Sequence, residues 1–117
     1  MSLLKRFKDN HVYIELNHAA RILQMSGMST SIPVAPDGSV TVSFALAKAC
    51  GLRKQPDADC YSVYVSKLSS ACRVRFMLCW EALELEVEDD IVVWAESVGL
   101  DETVRRMRSL AKFIELS

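Results

Sequence analysis

Between Tyr61 and Glu88 apolar and polar side chains alternate. Y-S-V-Y-V-S-K-L opens the stretch, and Cys72, Val74, Phe76, Leu78 and Trp80 then alternate with Arg73, Arg75 and Met77. In L-E-L-E-V-E the residues Leu83, Leu85 and Val87 fall on one side and Glu84, Glu86 and Glu88 on the other. A period of two is the pattern of a strand with one buried and one wet face, and short polar breaks such as Ser69-Ser70 predict a three-stranded antiparallel meander. Upstream, Leu4, Phe7, His11, Ile14, His18, Ile22 and Met25 recur at helical spacing and predict one long helix over Leu3 to Met25. Beside them runs a second stripe, Val12, Leu16, Ala19 and Leu23. The β-prone V-Y-I-E-L offers an alternative: a strand, with Asn17 capping a shorter helix from His18 to Met25.

Pro36-Asp37-Gly38 between Ile32/Val34 and Val40/Val42 predicts a hairpin, in which Pro33 confines its strand to an edge. A short Ala-rich helix, F-A-L-A-K-A-C, should end at Gly51, and the polar R-K-Q-P-D-A-D should be a surface loop. Asp89 or Asp90 can cap a helix I-V-V-W-A-E-S-V stopped by Gly99. Asp101 can cap a last helix whose inner face is Val104, Met107, Leu110, Ala111 and Ile114. Together these elements predict a single α+β domain over 1–117. Its antiparallel sheet, hairpin plus meander, would pack against an N-terminal helix and two C-terminal helices.

The 117 residues are half apolar and one quarter charged, with a formal net charge of −1, which is globular and carries no global basic excess. No run approaches the roughly 20 apolar residues of a membrane span, and charge at Lys5 interrupts the opening before it could form a signal-peptide core. The expected compartment is the cytoplasm. There Cys50, Cys60, Cys72 and Cys79, lacking any C-x-x-C pair, are expected as free packing thiols with no metal.

His11 and His18 stand two helical turns apart, too far for the one-turn spacing that chelates a metal jointly. Four scattered glycines form no phosphate-binding loop, so the sequence implies no nucleotide cofactor. The six acids from Glu81 to Asp90 read as a solvated face and a helix cap. The pattern A-x-x-x-G-L occurs twice, at Ala47–Leu52 and Ala95–Leu100. The second copy precedes Arg105, Arg106, Arg108 and Lys112, so 90–116 resembles a helix-turn-helix whose second helix would meet DNA. A glycine-terminated helix with a leucine folding back accounts for both copies without DNA.

No nucleophile, base and orienting group can be assigned, so an enzyme built on Cys or His is the last alternative and a non-enzymatic function is expected. The first helix has one apolar stripe more than a sheet-packed helix needs. Val12, Leu16, Ala19 and Leu23, with Val92 and Val93 of the penultimate helix, are therefore expected to form a homodimer or partner interface of a small regulatory protein. The DNA-binding regulator using Arg105, Arg106, Arg108 and Lys112 is the alternative.

Overall fold

The computed structural model describes residues 3–30, 32–56, 58 and 60–117. Ser31, and Asp57 and Asp59 of the expected polar loop, lie outside the described residues. Among the described residues six helices account for the regular structure: α1 (Leu3–Asp9), α2 (Val12–Ser26), α3 (Val42–Ala49), α4 (Tyr61–Lys67), α5 (Ser70–Val87) and α6 (Ile91–Leu116). The expected α+β architecture is thus corrected to an all-helical one. Among the described residues the only β pairing is two isolated bridges, Met28 to Val40 and Val34 to Val40.

The largest correction falls on 61–88, which is not a meander but the helices α4 and α5. Ser69 provides the start signal of α5: its hydroxyl accepts the Cys72 N–H at 3.4 Å. From Tyr61 to Val98 there is neither glycine nor proline, so nothing stops a helix once it is capped. The alternation is real in sequence, but the residues α5 buries are Phe76, Leu78, Cys79, Ala82 and Leu83, a helical set. Leu85, expected to share a face with Leu83, is 53% exposed while Leu83 is fully buried.

The expected long first helix is broken into two. His11 adopts a left-handed conformation (φ 56°, ψ 34°), and the Asn10 side chain donates to the Arg6 carbonyl at 2.8 Å, closing α1. V-Y-I-E-L is the first part of α2 and not a strand. The predicted hairpin keeps its turn, with Gly38 N–H on Ala35 O at 2.9 Å and Ala35 N–H on Ser39 O at 2.8 Å. It gains no ladder, because Thr41 accepts the Phe44 N–H and starts α3 at once.

Other local expectations hold. Asp90 accepts the N–H groups of Val92 and Val93 at 2.9 and 3.1 Å and so caps α6. At the end of α3, Leu52 N–H reaches Ala47 O and Gly51 N–H reaches Lys48 O, the paired bonds of a Schellman cap. Gly99 ends the first part of α6 differently, at φ 83° and ψ 177°, a region essentially reserved for glycine. Arg106 then comes back over Trp94, 5.8 Å from the ring centroid, so 91–98 and 100–116 meet at a corner as two helices. Because a Cβ on Gly99 would touch nothing within 4 Å, Gly99→Ala isolates backbone strain. It should lower stability by about 1–3 kcal/mol without altering the packing, readable as a shifted urea midpoint at constant slope.

α2 is the centre of the fold. It packs chiefly on α6 and α3, and also touches α1 and α5. Val12, Leu16, Ala19 and Leu23 are all fully buried, and they meet the equally buried Met107, Ala111 and Ile114 in one core with Ala45 and Leu46 of α3. The second apolar stripe of the first helix is therefore not spare. It is the core face of α2, and the other stripe faces outward, with His18 exposed and Ile14 and Met25 54% and 75% exposed.

Candidate interaction surface

α5 buries one apolar face and leaves three apolar residues, Val74, Met77 and Leu85, exposed among charged ones on the other side. At 100° per residue, Ser70, Arg73, Met77, Glu81 and Glu84 follow one another along a single outer line, with Val74 and Leu85 to one side and Trp80 to the other. Val74 is 48%, Met77 44% and Leu85 53% exposed.

The inner side is anchored by aromatic packing. Phe76 and Tyr64 are fully buried with ring centroids 5.9 Å apart, and Tyr61 stacks on Phe76 at 5.5 Å and on Trp80 at 5.9 Å. This cluster holds the Tyr61 and Trp80 rings at the rim, where with Met77, Glu81 and Glu84 they line an open groove of about 370 Å³. Burial raises the Tyr61 phenol above its ordinary pKa, and the nearby Glu84 and Glu81 add to the rise. On the Leu85 side a second groove, about 310 Å³, runs between α1, α5 and the end of α6 and is lined by Leu3, Phe7, Leu85 and Phe113 among others.

The charges of α5 are segregated along its length. Arg73 and Arg75 lie near its start, and Glu81, Glu84 and Glu86 near its end. Two of them are turned away from the outer line: Arg75 pairs with Glu15 of α2 at 3.4 Å, and Glu86 with Arg106 at 3.4 Å. Arg73 at one end and Glu81 and Glu84 at the other remain on the outer face. Arg73 donates from one amino group to Leu68 O at 3.3 Å, while its Nε is buried with no hydrogen-bond partner among the described residues.

The residues expected at an interface are divided by the fold. Val12, Leu16, Ala19 and Leu23 come together in the interior and have no surface to offer another molecule. Val92 and Val93, 37% and 57% exposed, stay outside on 91–98. The cations of the DNA-binding alternative are mostly engaged within the chain. Arg105 pairs with Glu102, Arg106 with Glu86 and the Trp94 ring, and Arg108 donates to Gln24 Oε1 of α2 at 2.7 Å. Lys112 is exposed beside Phe113 and Leu116 at the C-terminal end of α6.

Cys50 and Cys79 are buried, Cys72 is half-buried and Cys60 exposed. His11 and His18 are both exposed; His11 sits at the break before α2 and its Nδ1 is 3.1 Å from the Tyr13 hydroxyl. Among the described residues no three His, Cys, Asp or Glu side chains are grouped to hold a metal ion, and no helix is long and apolar enough to cross a membrane. Sequence reasoning missed Tyr61, Val74 and Trp80 as surface residues because a strand reading turned alternate residues inward; it set Met77 on the opposite side, with Arg73 and Arg75. The available signal was the unbroken stretch without glycine or proline after Ser69. Compared with protein-family models, with curated proteins and with solved structures, the chain matches none of them.

Proposed function

We propose that this chain is a non-enzymatic interaction module that works as a homodimer, with the outer face of α5 as the contact. The observation that carries this reading is the exposed patch of Val74, Met77 and Leu85 on the outer side of α5, with Arg73 toward one end of that side and Glu81 and Glu84 toward the other. In an antiparallel pairing about a two-fold axis near Met77, Arg73 of each chain comes within reach of Glu81 and Glu84 of the other. Met77, Val74, Tyr61 and Trp80 fill the centre, the residue types that interface cores favour. The antiparallel arrangement also sets opposite helix dipoles side by side. A net charge of −1 adds almost no repulsion between copies. Regulation through such contacts, in the cytoplasm, is the corresponding biological reading.

Sedimentation or light scattering across the micromolar range should give twice the chain mass. Met77→Glu, at an exposed position, should weaken association by roughly a hundredfold or more while leaving the thermal melt of the monomer intact. Charge reversal separates a specific pairing from general stickiness. Arg73→Glu and Glu81→Arg with Glu84→Arg should each weaken the dimer, and all three together should restore it. A monomer at every concentration, or a dimer indifferent to Met77→Glu, would remove the proposal.

A further inference from the structure

A second surface feature has nothing to do with the outer line of α5. Between the end of α3 and the start of α5 lies a cavity of about 590 Å³ lined by Gly51, Leu52, Arg53, Lys54, Lys67, Ser69 and Cys72. Its volume falls within the range of small-molecule sites. Among the described residues its walls carry three cations and no acid. Three other arginines, Arg75, Arg105 and Arg106, pair with carboxylates. Arg53, Lys54 and Lys67, by contrast, make no ion pair among the described residues.

Three features converge on the cavity. Ser69 and Cys72 are the N-cap and third residue of the 18-residue α5, so the positive end of that helix opens at the same rim as the cations. Leu52, folded back by the Schellman cap, supplies an apolar wall. Gly51 stands at φ 115°, and a Cβ there would lie 2.9 Å from Cys72 Sγ, so the missing side chain lets the two walls approach closely. The Cys72 sulfur, which accepts from Arg75 Nη2 at 3.4 Å, thereby becomes part of the lining.

We infer that this cavity binds a phosphorylated small molecule, the phosphate held by Arg53, Lys54, Lys67 and the start of α5 and an organic body resting against Leu52. A doubly or triply charged phosphate matches three cations plus a helix N-terminus better than a single carboxylate does. The binding is independent of dimerisation, since Ser69 and Cys72 lie off the outer line that carries Arg73 and Met77.

Cys72 provides the readout. Its alkylation by iodoacetamide, followed by peptide mass spectrometry, is compared with that of Cys60, which is exposed and outside the lining. Inorganic pyrophosphate at millimolar concentration should slow alkylation of Cys72 by about tenfold and leave Cys60 unchanged, and adenosine 5′-diphosphate should do so at lower concentration because it adds an apolar body. Lys67→Gln should weaken protection roughly fivefold, and Arg53→Gln with Lys54→Gln more than that. All three positions are exposed, so the variants should melt like the parent. Sodium sulfate at matched ionic strength protecting equally would reduce the effect to screening and overturn the inference. Absence of protection by pyrophosphate, protection unchanged in the glutamine variants, or protection by pyrophosphate but not by the diphosphate nucleotide would overturn it as well.

Discussion

Leu23→Glu is expected to abolish the cooperative thermal transition altogether, whereas Ile14→Glu on the same helix should leave it nearly in place. Leu23 has no accessible surface and lies in the core that α2 forms with α3 and α6. Shortening such a leucine to alanine costs about 2–5 kcal/mol through lost burial and the cavity left behind. A carboxylate at that position adds the desolvation of an unpaired charge, several kcal/mol more. Together these reach the whole stability of a domain this size, about 5–15 kcal/mol. Ile14 is 54% exposed, so its replacement moves little apolar surface. Circular dichroism melts of the two variants decide between core and interface. If Leu23→Glu folded and merely dissociated a complex, α2 would have to be an interface helix after all.

The second large effect is expected at Glu15 and Arg75. Glu15 is buried on α2 with its carboxylate 3.4 Å from the Arg75 guanidinium of α5, and this pair ties the central helix to α5. Burial raises the Glu15 pKa above its ordinary value, and the positive charges of Arg75 and His18 only partly oppose the rise. A carboxyl whose pKa is higher in the folded chain binds its proton more tightly there. Its contribution to stability is therefore fully present below the unfolded pKa and is lost as pH rises through the folded one. Arg75→Met removes the chief opposing charge and lifts the folded pKa further. The variant should thus melt close to the parent near pH 4 and fall progressively behind toward pH 7, where the unpaired carboxylate should cost about 2–3 kcal/mol. Adding Glu15→Gln should recover most of the loss at pH 7. A deficit that is the same at both pH values would show that Arg75 acts through packing alone.

The two variants probe what the chain's pattern could and could not reveal. Asp90 as a cap, Gly51 as a helix stop and the inner face Val104, Met107, Leu110, Ala111 and Ile114 follow from short-range rules, and the structure contains all of them. Each depends only on residues within a turn or two of one another, where the hydrogen-bond partner or the neighbouring side chain is fixed by the helix itself. The same holds for the apolar stripe of Val12, Leu16, Ala19 and Leu23, whose existence was legible though its partner was not.

The tertiary structure decided what those stripes meet. A period of two in L-E-L-E-V-E and a helical set of Phe76, Cys79, Ala82 and Leu83 coexist in the same residues, and which one is buried depends on whether a strand or a helix lies alongside. With α2, α3 and α6 as neighbours the helical set is buried, and Val74, Met77 and Leu85 are left outside as the candidate contact. The placement of Arg53, Lys54 and Lys67 around one cavity with Cys72 was equally invisible, since the cations and the thiol come from three separate segments. Local chemistry determined where helices begin and end in much of this chain. Only packing, which is non-directional and sums over distant residues, determined which apolar face became core and which remained available to a partner.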